Sequence, residues 1–215
     1  MALAIIGDLD FEKTYALAQE TFGKLKAAPV PERKMPVEQP LTENRKLTVS
    51  GPEAAHTRLG WRIERTPRNG ALVTLIARLL KDSGYGLLEQ NLLRTQKLLG
   101  AGCHLRTGRE YMLFLLDGSP RAGQSLDVVS SLLLAELEKL RKGEYGDWRI
   151  GAVAENSRVT IEEIREGDNM NLAWEFADLF VNGDSYAELL ATPDRIAGFT
   201  KKDVTEFIEK HFKYH

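Results

Sequence analysis

Cysteine is nearly missing from this sequence. Cys103 is the only one in 215 residues, so no disulfide can form within the chain and thiolate zinc clusters are excluded. Charge of one sign is not in excess either: 29 lysines and arginines face 31 aspartates and glutamates, and the pI is near 6.1. Such a balance argues against a surface made to neutralise phosphates or anionic lipid, so neither nucleic acid nor membrane is an expected partner. No apolar run approaches the roughly 20 residues that cross a bilayer, and the start lacks the basic, apolar and small-residue succession of a signal peptide. What the chain does have is apolar content, 43% of residues, enough for a core in one large domain or two small ones.

Residues 2–6 (ALAII) read as a buried strand, and Asp10 then stands where a helix N-cap belongs, with Glu12 in the first turn. Tyr15, Ala18, Phe22 and Leu25 follow at helical spacing. Prolines 29, 31, 36 and 40 make the next stretch an extended connector. RKLTVSG (45–51) and TRLGWRI (57–63) alternate or cluster apolar residues over strand length and read as an antiparallel pair. A helix is expected over about 69–80, and a glycine-broken turn at 83–86 leads into a second, LLEQNLLRTQ.

LGAGCHLRTGREYMLFLLDG then reads as two strands around a Thr107-Gly108 turn, with 111–116 the more buried. Everything after it reads as helix. Ser119 is the expected cap of the next one, with Pro120 at its first position. DWRIGAVAENSRVTIEEIREG is a more polar helix, and DNMNLAWEFADLFVNG stops at Asn182-Gly183. Ser185 and Thr200 start short capped helices, and Thr192-Pro193 marks a break between them. Strand pairs with helices gathered beside them predict an α+β fold: a mainly antiparallel sheet of about five strands, with helices on one face. Both ends read as cut, so a piece of a longer protein is expected, forming a single domain over 1–215.

Catalytic groupings are scarce. Asp8 and Asp10 fit a turn aspartate and a helix cap better than a carboxylate pair. His211 and His215 stand at i and i+4, but HFKYH lacks the glutamate of H-E-x-x-H or H-x-x-E-H, so an incidental pair is the reading. Cys103 and His104 are strand neighbours that point to opposite faces and cannot act on each other. G-x-S-x-G, G-x-G-x-x-G and the phosphate-binding G-x-x-x-x-G-K-[ST] do not occur. The arginines of LRTGR and RTPR suit carboxylates but read as solvated surface.

Taken in order, IIGDLD, TFGKL, the proline-rich connector with PER, RLGWRI, GYGLLEQNLL, LLGAGCHL, EYMLFLLDG and FTKKDVTEFIEKHF resemble a non-catalytic domain of the insulinase/pitrilysin family of zinc metallopeptidases, relatives of the mitochondrial processing peptidase. The resemblance covers most of the chain. It implies an α+β layered fold and a parent enzyme built of related domains around a chamber, of which only the first carries H-x-x-E-H and its zinc. This chain has no H-x-x-E-H, so the resemblance transfers no catalytic residue and no metal ligand; the fragment alone is expected to hydrolyse nothing, while zinc is implied for a parent metalloendopeptidase.

The family's last domain usually offers an arginine and, seven residues on, a tyrosine; here Arg94 is followed by Ala101, which favours the domain directly after the catalytic one. That domain's anchoring segment corresponds to 98–104, implying substrate-binding roles for Leu99, Gly100, Ala101 and Gly102, with Arg94 nearby. Gly100 and Gly102 either leave the backbone approachable for an added peptide strand, or merely bend a strand or form a bulge. The partners implied are the catalytic and other domains of the same polypeptide and a peptide substrate. The alternative is a domain of a catalytically inactive relative that serves assembly or scaffolding. A small-molecule enzyme would require a deep polar pocket with strongly perturbed ionisable groups.

Overall fold

The computed structural model describes residues 2–26, 28–29, 39, 43–82 and 84–213. Helix α1 (Phe11–Phe22) starts at Asp10, whose carboxylate accepts from the Lys13 amide at 3.0 Å. Strand β1 (Thr57–Glu64) is followed by α2 (Pro67–Leu80), capped by Thr66, with proline in its first turn and seven buried residues. A π-helical turn (Glu89–Leu93) leads to the hairpin of β2 (Gly100–Thr107) and β3 (Tyr111–Ser119). Five helices close the chain: α3 (Leu126–Arg141), α4 (Trp148–Glu166), α5 (Asn169–Asn182), α6 (Tyr186–Ala197) and α7 (Lys201–His211).

The sheet is antiparallel, in the order β1-β3-β2. Met112, Phe114 and Leu116 of β3 alternate toward the helices and are buried, as are Trp61 and Ile63 of β1. Helices α2, α3 and α7 pack on that face. Contact is closest at Gly118, where a Cβ would stand 2.5 Å from Val129 Cγ1 and 3.1 Å from Leu133 Cδ1 of α3. Phe114, Trp61 and Phe212 close the core at the end of α7, with ring centroids 4.7 Å apart for Phe114–Phe212 and 5.3 Å for Trp61–Phe212.

The α+β class and the helix-covered antiparallel sheet agree with the sequence, but among the described residues the sheet has three strands rather than five. Residues 2–6 and 45–51 belong to no strand of the described sheet, and Leu3, Ile5, Leu47 and Val49 face solvent. Alternation reports strand propensity, whereas a ladder needs a neighbouring edge to take the backbone groups. Ser119 does not start a helix: it pairs with Gly100 as the last residue of β3, and Ser125 caps α3 instead. Pro193 does not break the chain but sits inside α6. The capping box at Thr200–Asp203, the Ser185 cap and the left-handed Gly183 (φ 76°) after α5 stand as read.

Candidate functional site at the open edge of β2

One hydrogen bond fixes the phase of the hairpin. Gly108 donates its amide to the Tyr111 carbonyl at 3.0 Å, and the register runs unbroken from Thr107–Met112 to Gly100–Ser119. Alternation along an antiparallel ladder then turns the N–H and C=O of Gly102, His104 and Arg106 toward β3. Those of Ala101, Cys103 and Leu105 turn to the other side, where, among the described residues, the sheet order places no further strand. A row of such groups is a template for an added strand.

Gly100 stands opposite Ser119 and Gly102 opposite Asp117 in the ladder, and neither has a left-handed φ. A Cβ at Gly100 would meet Ser119 Oγ at 3.3 Å, and one at Gly102 would meet His104 Nε2 at 3.1 Å and Lys81 Nζ at 3.7 Å. Leu99, at the entry to β2, is 73% exposed and donates its amide to Ser119. Leu99, Gly100, Ala101 and Gly102 thus form one run at the edge. Arg94 lies apart from that run, in the turn after the π-helix, where its Nη2 donates to the Gly84 carbonyl at 3.0 Å and its Nε is 3.9 Å from Glu89.

On the solvent face of the sheet, Asp117 of β3 joins all three strands. Its Oδ1 accepts from Arg58 Nε of β1, and its Oδ2, buried and without a hydrogen bond, is 3.4 Å from His104 Nε2 of β2. The sequence reading missed this cluster, since its members are scattered along the chain and only the strand register brings them together. Cys103 points the opposite way, into the core, and burial pushes its thiol up to about 12. The expectation that Cys103 and His104 cannot act on each other holds.

The remaining candidates do not assemble. Asp10 is a cap, with its carboxyl held below the usual range by the Lys13 amide. His56 sits beside the Ala54 carbonyl, His104 beside Asp117, and the His211 ring lies tilted against Phe207 with centroids 4.5 Å apart. His215, the other half of the i, i+4 pair, lies outside the described residues. Among those described, no group of three or more His, Cys, Asp or Glu is gathered, so these side chains do not fit a zinc site. One cleft of about 620 Å³ is open to solvent and lined by Lys97, Arg121, Gln124 and Ser125 among others. The strongly shifted groups lie elsewhere: Cys103 in the core, Tyr145 pushed up to about 12 by burial, and Asp203 drawn down to about 2 at its cap.

Residues 1–156 match the family model for the peptidase M16 inactive domain. The chain belongs to this family. It is therefore a non-catalytic domain of the insulinase-like zinc peptidases, in agreement with the missing H-x-x-E-H. No match was found among curated proteins. Among solved structures, the chain is similar to a protease from Helicobacter pylori (TM-score 0.78, 20% identity), over 97% of this chain and 51% of that one. It is also similar to the periplasmic protease PqqL from Escherichia coli (TM-score 0.69, 17% identity, 97% of this chain and 23% of that one). A peptidase M16 inactive domain from Pseudomonas fluorescens matches with TM-score 0.67 and 17% identity, over 96% of this chain and 49% of that one. At these identities the likeness is one of fold, and the chain spans about half the length of the Helicobacter protein.

Proposed function

We propose that this domain is a wall of the proteolytic chamber of a zinc metallopeptidase, and that it anchors peptide substrate by strand addition to the open edge of β2. The backbone groups of Ala101, Cys103 and Leu105, which meet no neighbouring strand among the described residues, are the observation that carries this reading. Backbone pairing grips a peptide without requiring a particular sequence, and the glycines at 100 and 102 add no side chain beside the incoming strand. Leu99, with most of its side chain in solvent, borders the first position of that strand. Arg94, after the π-helical turn, donates to the Gly84 carbonyl and so ties that turn to the one before it.

Zinc and the hydrolytic groups belong, in this reading, to a companion domain of the same longer polypeptide that carries H-x-x-E-H. Family membership and the two-fold length of the Helicobacter protease support that division of labour. Residues 1–215 then act as one unit beside it. The open character of the cleft beside Lys97 and Arg121 gives no comparable support to a small-molecule enzyme.

Proline at position 101 tests the edge. The Ala101 N–H points away from β3, so Ala101→Pro removes a donor needed by an added strand and none used by the hairpin. Binding of an unstructured peptide panel, measured by fluorescence anisotropy, is expected to weaken at least tenfold with the melting temperature little changed. Undiminished binding by the folded variant would place the peptide elsewhere.

A further inference from the structure

The chain as a whole carries a formal net charge of −2, yet cations are in surplus around the edge of β2. Lys81, Lys97, Arg106 and Arg121 are exposed, and none pairs with a carboxylate among the described residues. The helices after β3 differ: Arg141, Arg158, Arg165 and Arg195 each hold a glutamate or an aspartate. The acids nearest the edge face other partners. Asp117 is turned to Arg58 and His104, Glu89 to Arg94, and Asp82 accepts from Asn156, while Glu110 lies in the turn at the far end of the hairpin.

The four cations follow the strand. Lys97 precedes it, and Arg121 sits beside Lys97, with its Nη1 donating to the Gln96 carbonyl at 2.7 Å. Lys81, at the end of α2, brings its ammonium beside Gly102, 3.7 Å from where a Cβ would stand. Arg106 shares the solvent face with Gly102 and His104 by alternation, about 13 Å further along the strand. Side chains of a strand added to this edge alternate in the same way: one set lies beside Lys81 and Arg106, the other beside the half-buried Ala101 and Leu105. Opposite charges on neighbouring strands attract, and like charges repel. We propose that the peptide held at the β2 edge is acidic, with aspartate or glutamate at alternate positions toward Lys81 and Arg106 and apolar residues between them toward Ala101 and Leu105. The inference rests on the strand-addition reading and adds the substrate class to it: the backbone supplies the grip, and the row of cations selects.

The probe is a capped, fluorescein-labelled octapeptide that alternates glutamate with valine. It is compared with versions in which serine or lysine replaces each glutamate, and with one of the same composition arranged in two blocks. At low salt the alternating acidic peptide is expected to bind at least tenfold more tightly than the serine version, with the lysine version weakest. The margin should shrink near 1 M salt, where charges are screened beyond about 3 Å. Lys81→Gln and Arg106→Gln should each narrow it at least threefold with circular dichroism unchanged, and Ala101→Pro should weaken the acidic and serine peptides alike. Equal binding of those two peptides, both lost in Ala101→Pro, would overturn the acidic preference and leave strand addition standing. Binding of no peptide, or acidic binding indifferent to Ala101→Pro, would overturn both. A block peptide as tight as the alternating one would overturn the proposal, since charge alone would then suffice. So would loss of the margin in a longer polypeptide that includes the companion domain, which would show that these cations face that domain instead of a peptide.

Discussion

Trp61 of β1 donates its indole Nε1 proton to the Lys213 carbonyl at 3.3 Å, and so ties the chain leaving α7 to the helix-covered face of the sheet. Phe212, one residue earlier, fills the gap between Trp61 and Phe114. Replacing Phe212 by alanine removes a buried ring whose neighbours are held by the sheet and cannot collapse onto the space. The expected cost is about 3–5 kcal/mol, read as a lower urea midpoint with unchanged slope.

Gly118 sets how near α3 comes to β3. A methyl there would stand 2.5 Å from Val129 Cγ1, on a β-branched side chain that cannot swing away, so the helix must move. Gly118→Ala should cost about 1–3 kcal/mol. Gly123→Ala makes a useful contrast: nothing lies within 4 Å of a Cβ there, and its penalty comes only from a left-handed φ of 78°.

Asp203 gives the α7 cap a pH dependence. Hydrogen bonds from the Thr200 side chain and backbone, then the Arg68 guanidinium, draw its pKa to about 2. A folded value below the unfolded one means that the stabilisation is present above about pH 4 and lost as pH falls toward 2. Melting curves should therefore separate the protein from Asp203→Asn at pH 7 by a few degrees and bring the two together near pH 2. A gap independent of pH would assign the effect to the amide rather than to the charge.

Cys103 should be silent toward thiol reagents. Burial pushes its thiol up to about 12, and its side chain faces the core across from Leu116. Titration with a chromogenic disulfide should find close to no thiol in the folded protein and one per chain in denaturant. Rapid labelling of the native state would mean that β2 opens readily.

What the sequence made legible was local. Asp10, Ser185 and Thr200 announce helices through bonds that span three residues, and each cap is where the chain pattern placed it. The count of strands was not legible, because 2–6 and 45–51 have strand-like sequence but join no ladder of the described sheet. Ser119-Pro120 carried a helix-start signal that pairing with Gly100 overrode. At the site, the glycines of β2 were visible as a run, but the outward turn of Ala101, Cys103 and Leu105 depends on one bond at Gly108–Tyr111. Asp117, Arg58 and His104 meet only through the register of three strands, which no spacing along the chain reveals.

The central claim is that this domain grips peptide and performs no hydrolysis itself. The most direct measurement compares zinc content and cleavage of a quenched fluorescent peptide panel for the chain alone and for a longer polypeptide in which it follows a domain carrying H-x-x-E-H. The account predicts no cleavage and no stoichiometric zinc in the first, both in the second, and a raised KM when Ala101→Pro is introduced there. Zinc-dependent cleavage by the chain alone would contradict it and return His211 and His215 to consideration as ligands.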